Sequence, residues 1–177
     1  MQKLHASFGL QVFREIMTRA PGAMRAGYYA YRRPMDAVTC LFAGGFLTAA
    51  PAVISVMYDP RYQEAGQILQ ILALGLPLIG AGMMREAFGA RQRFRITAGF
   101  GLVQAVTIWI GLAVALMVLE SVPAAFAVIA LHRIPEIALL LAAARREGWV
   151  DLLGEVRMVP LIGVGAMLGW GLSALIG

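Results

Sequence analysis

The sequence has 177 residues, 60% of them hydrophobic and only 14% charged, with a mean hydropathy of +0.74. Water-soluble domains usually hold about 45–50% apolar and about 25% charged residues, so this balance excludes a soluble globule and points to a membrane chain. The net charge of +5 would suggest nucleic acid in a soluble protein, but here the basic residues gather at the ends of apolar runs and no nucleic-acid partner is expected.

Residues 1–34 come first. Leu4–Phe13 gives only ten residues free of Asp, Glu, Lys and Arg before Arg14-Glu15, with no small-residue cleavage site after it, so it does not read as a signal peptide. Phe8, Val12, Phe13, Ile16 and Met17 recur at helical spacing. Two readings stay open: an amphipathic helix lying on the cytoplasmic face, or the tail of a membrane helix that begins upstream of Met1.

Residues 35–177 read as a membrane bundle. A spanning helix needs about 20 apolar residues to cross about 30 Å of hydrocarbon. Four runs of that length lack every charged residue and histidine: 37–58, 65–84, 96–119 and 158–177. A fifth, 121–144, is interrupted only by His132, Arg133 and Glu136. The expectation is an all-α, polytopic bundle of five transmembrane helices. Between the first two, Tyr58-Asp59-Pro60-Arg61-Tyr62 reads as a tight turn: Pro60 stops a helix, and the tyrosines suit a membrane interface.

The basic residues test the count. Six lie in residues 1–34, four in the second–third loop (Arg85, Arg91, Arg93, Arg95) and three in the fourth–fifth loop (Arg145, Arg146, Arg157). The intervening loops hold Arg61 alone, and Arg133 sits within the fourth run. That alternation is what the positive-inside rule expects of five crossings with a cytoplasmic N-terminus.

Arg133 and Glu136 are three apart and share a helix face. Charges at such depth usually face a bundle interior or a wet cavity. They read as a cavity pair meeting an anionic substrate or coupling a proton, as an internal salt bridge, or as residues near an interface if the run is two shorter segments. Gln67 with Gln70, and Gln104 with Thr107, are polar pairs that line a cavity or bond to neighbouring helices. Pro51, Pro77 and Pro135 interrupt three of the five runs, as in transporters that bend around a central cavity. Gly165, Gly169 and Ser173, at four-residue spacing, form a helix-packing face within the chain or between chains.

No catalytic constellation is present: no phosphate-binding glycine loop, no HExxH, no CxxC. One cysteine, Cys40, and two histidines do not make a metal site, and Cys40 reads as a small buried hydrophobe. Neither enzyme activity nor a cofactor is expected.

The turn and the helix after it carry a resemblance. Tyr58, Asp59, Tyr62, Ala65, Leu69, Ile71 and Leu72, in VISVMYDPRYQEAGQILQILAL, resemble a helix–turn–helix of bacterial polysaccharide-biosynthesis membrane proteins. These are the oligosaccharide flippases of the multidrug/oligosaccharidyl-lipid/polysaccharide exporter superfamily. The resemblance implies about a dozen or more helices in all, arranged in two similar lobes. It implies movement of an undecaprenyl-diphosphate-linked oligosaccharide to the periplasmic leaflet of the bacterial inner membrane by alternating access without ATP. The chain would then cover the C-terminal part of such a protein, its missing N-terminal lobe or partner chains completing it among membrane lipids. The alternative is a small non-transporting scaffold of a polysaccharide-assembly complex.

Overall fold

The computed structural model describes residues 21–176. Residues 1–20, with the Phe8–Met17 periodicity, lie outside the described residues. Those described form helices, with no strand among them. Five helical stretches are long and apolar enough to cross a membrane: 24–57, 60–90, 94–118, 122–146 and 152–176.

The first is the single helix α1, Pro21–Met57. Its 37 residues reach about 55 Å at 1.5 Å per residue, far more than a hydrocarbon core requires. Residues 21–34 are therefore continuous with the apolar run 37–57. Asp59 follows the span and caps the start of the next turn: its carboxylate accepts from the Arg61 N–H at 3.0 Å and from Arg61 Nε at 3.1 Å. Those bonds hold the Asp59 carboxyl below the usual aspartate range. Tyr58 and Tyr62 meet edge-on at 6.0 Å across the turn Pro60–Tyr62.

The second span is broken. It comprises α2 (Gln63–Ala73), α3 (Pro77–Ala81) and α4 (Met83–Ala90). Pro77 has no N–H to donate. The turn before it tightens to i→i−3 bonds, from Gly75 N to Leu72 O at 3.0 Å and from Leu76 N to Ala73 O at 3.1 Å. The third span is α5 (Phe94–Ala113), which widens into a π-turn at Val114–Val118. The fourth breaks as well, into α6 (Val122–Leu131) and α7 (Ile134–Arg146), with Pro135 in the first turn of α7. Gly148, at φ +76°, turns the chain out of α7 in the left-handed region where glycine is favoured. The fifth stretch holds the short α8 (Leu152–Val156) and then α9 (Leu161–Ile176).

Laterally the spans pack in the order fifth, first, second, fourth, third, and the third also leans on the second. In lipid, helices associate through close fit rather than a hydrophobic drive. The α1–α9 seam shows this. Gly165 and Gly169 are buried, and a Cβ on Gly169 would sit 2.5 Å from Gly45 O. Thr48 Oγ1 donates to Ala166 O at 3.0 Å, and Ser173 Oγ to Thr48 O at 3.3 Å.

At the end of the bundle where α1 begins, an aromatic core gathers Tyr28, Phe88 and Trp149 with Met24, Met84 and Leu140. Trp149 meets Tyr28 and Phe88 edge-on at 5.3 and 5.4 Å. This end also carries Arg25, Arg91, Arg93 and Arg157 and is the basic end. Elsewhere large apolar side chains such as Trp109, Met117 and Leu175 point outward, as a surface in contact with lipid requires.

Candidate functional site: buried charge between two broken spans

The interruptions of the second and fourth spans lie side by side. A Cβ on Gly75 would come within 2.8 Å of Ala130 O, and one on Gly82 within 2.5 Å of Arg133 Nη2. Helix breaks free backbone and leave room for polar side chains inside a bundle.

Glu136 occupies that room. It lies in the first turn of α7 and is completely buried. Counting along the span, it is about 21 Å from Val122 and about 15 Å from Arg146, near mid-depth. Arg85 Nη1 stands 3.3 Å from one carboxylate oxygen and Arg133 Nε 3.8 Å from the other. Neither approach makes a hydrogen bond, so both Glu136 oxygens and Arg133 Nε are buried without one. Two guanidinium groups face one carboxylate, which leaves an excess positive charge suited to an anionic group.

The network continues into α5. Arg85 Nη1 donates to Gln104 Oε1 at 3.0 Å, and Gln104 Nε2 lies 3.0 Å from His132 Nε2. An amide nitrogen only donates, so His132 Nε2 accepts and Nδ1–H donates to Ile129 O at 2.8 Å. Thr107 bonds within its own helix, to Val103 O at 2.8 Å. Beside it a groove of about 390 Å³ opens between α5 and the α6–α7 break, with Thr107 and His132 on its wall.

The other expected residues lie apart. Gln70 Nε2 donates to Leu47 O at 2.8 Å, a bond between α2 and α1. Gln67 is exposed on α2. Gly165, Gly169 and Ser173 belong to the α1–α9 seam.

Sequence reading passed over a second buried network at the basic end. Arg32, one turn before the first apolar run, bonds Asp36 from Nε at 2.8 Å, and its Nη1 meets both Tyr28 Oη and Glu155. All three charged groups are nearly buried. Tyr29 Oη accepts from the Asp151 N–H at 2.9 Å and contacts Glu155 at 3.2 Å. Here the excess is negative, one arginine against two carboxylates, and Asp36 Oδ1 has no partner. The Tyr28, Arg32, Asp36 spacing of four was the available signal. Arg85 was likewise assigned to a loop, whereas it sits inside α4 and faces Glu136.

Among the described residues no three His, Cys, Asp or Glu side chains converge as a metal site. In comparisons with known proteins, the chain matches no protein family, no curated protein and no solved structure.

Proposed function

We propose that the chain is the C-terminal portion of a transporter that flips undecaprenyl-diphosphate-linked oligosaccharide across the bacterial inner membrane for cell-surface polysaccharide synthesis. Its N-terminus is cytoplasmic. Arg133 and Arg85 meet the diphosphate, and Glu136 holds them in position between visits of the substrate.

The observation that carries this reading is the Arg85–Glu136–Arg133 cluster. Its carboxylate is completely buried near mid-depth and lacks hydrogen bonds, and the cluster has an excess cation. A charge kept at such depth is costly, and function is the usual reason for keeping it. Two broken spans packed at their breaks are what a moving carrier needs and a rigid anchor does not. The 53–74 helix–turn–helix and the alternation of basic loops support the same reading. The scaffold alternative loses one proposed contact, since the small-residue face of α9 is already occupied by α1.

Arg133→Ala in the complete transporter should lower glycan export while membrane abundance stays normal. Normal export at normal abundance would exclude a transport role for this arginine. In parallel, an epitope tag placed after Gly177 at the native locus should report a membrane protein far larger than 19.0 kDa. A band near 19.0 kDa would redirect the reading toward partner chains.

A further inference from the structure

A recess of about 450 Å³ opens at the basic end, between the first turns of α1 and the short α8. Three arginines line it: Arg25, Arg33 and Arg157. Its fixed point is Tyr29, pinned by the Asp151 N–H at 2.9 Å. Gly154 lets Tyr29 lie against α8, because a Cβ there would come within 2.6 Å of the ring. Arg33 places its guanidinium over the Tyr29 ring at 5.6 Å, a stack that orients the group and leaves its N–H donors free. Arg25 is tied to Asp151 at 2.8 Å. Neither Arg33 nor Arg157 pairs with a carboxylate among the described residues, because Glu155 is turned inward to Arg32.

The same recess has an apolar side. Leu153 and Val156 line it and are exposed by 77% and 55%. Free arginines thus stand beside two exposed aliphatic side chains, the pairing that a phospholipid's phosphate and first acyl carbons require.

We propose that this recess binds the headgroup of an anionic phospholipid, its phosphate held by Arg33 and Arg157 and its first acyl carbons lying on Leu153 and Val156. The chemistry is that of a phosphate monoanion. The apolar wall selects a lipid over a free anion, since inorganic phosphate gains nothing from Leu153 or Val156. Basic pockets at helix ends recognise lipid headgroups through this combination. The site is distinct from the Arg85–Glu136–Arg133 cluster and stands whatever that cluster transports.

The test is native mass spectrometry of the full chain in mild detergent, titrated with phosphatidylglycerol or phosphatidylcholine. One phosphatidylglycerol should be retained well beyond the dissociation of phosphatidylcholine. Arg33→Gln with Arg157→Gln should weaken it by about 30-fold, each cation near a membrane surface contributing about five-fold. Arg145→Gln with Arg146→Gln removes two exposed charges at the same end, outside the recess, and should leave retention unchanged. Both pairs are exposed, and an unaltered helical spectrum and melting temperature will show that each variant folds. Equal loss in both double variants, or no loss in the first, would overturn the site. Displacement of the lipid by an excess of inorganic phosphate would overturn the choice of a lipid over a free anion.

Discussion

Glu136→Gln separates a transport site from a structural salt bridge. The substitution keeps the size of the side chain and removes its charge. With an effective dielectric constant of about 20, attraction to the carboxylate is about 5 kcal/mol from Arg85 at 3.3 Å and about 4 kcal/mol from Arg133 at 3.8 Å. Against it stand the burial of the carboxylate, at several kcal/mol, the partial burial of two guanidinium groups that stay 28% and 21% exposed, and their mutual repulsion. No hydrogen bond to Glu136 tips the balance, so the terms nearly cancel. Glutamine loses the attraction and the carboxylate burial together. The two arginines stay behind without their counter-ion, at 28% and 21% exposure, so the expected destabilisation is about 3 kcal/mol, the lower end of the about 3–5 kcal/mol typical of breaking a buried pair. It would be read from detergent-induced unfolding of the purified chain, beside glycan export by the complete transporter at matched abundance. Export should collapse while the fold survives. Export falling only in step with abundance would refute the cavity role and leave a structural ion pair.

Gly165→Ala and Gly169→Ala should each destabilise the chain. At Gly169 the new Cβ meets Gly45 O at 2.5 Å where ordinary contact begins at 3.4 Å, so α9 must move out by about 0.9 Å. Overpacking of this kind costs about 1–3 kcal/mol. Gly163→Ala and Gly171→Ala, on the same helix but facing open space, should be neutral, and equal effects at all four positions would dismiss the seam. Arg32→Ala strands Asp36 and Glu155 without their cation and should cost about 3–5 kcal/mol in the same unfolding assay. Arg32→Lys should rescue it poorly, since an ammonium cannot reproduce the fork that reaches Tyr28, Asp36 and Glu155; full rescue would mean that charge alone matters there. For orientation, Cys40 is 3% exposed and should resist thiol reagents, which leaves the native chain as a clean background. Arg61→Cys should react with an impermeant maleimide in intact cells and Arg93→Cys only after lysis; the reverse pattern would invert the proposed topology.

The five spans were legible because hydropathy integrated over about 20 residues is a strong signal, insensitive to any single side chain. The same signal misplaced the ends. An apolar run stops at its first charge, whereas a helix does not. The run 65–84 closed at Met84, so Arg85 fell into a loop, yet α4 continues to Ala90. The run 37–58 opens at Ala37, so Arg32 falls in the segment 1–34 and Asp36 just ahead of the run, yet α1 runs through both. Arg85, Arg32 and Asp36 were thus hidden as charges that border the runs, and each buried network contains at least one of them. Glu155 was illegible for another reason: its partner Arg32 lies 123 positions away, and no local pattern carries that pairing. Arg133 and Glu136 were legible because they interrupt an apolar run from inside.

The two networks meet at one short segment. α3 packs on α1 on one side and on α7 on the other. Gly80 and Gly82 are two residues apart, about 200° around a helical turn, so their missing side chains point in nearly opposite directions. A Cβ on Gly80 would overlap the Asp36 carboxylate, and one on Gly82 would crowd Arg133. The segment between Pro77 and Gly82 is therefore a thin backbone partition, with an unpartnered carboxylate oxygen against one face and a guanidinium against the other. It is flanked by breaks at Leu74–Leu76 and at Gly82. The chain is least constrained by helical bonds at those breaks, so a displacement of the partition needs few backbone changes. A displacement of α3 changes the packing against Asp36 on one face and against Arg133 on the other.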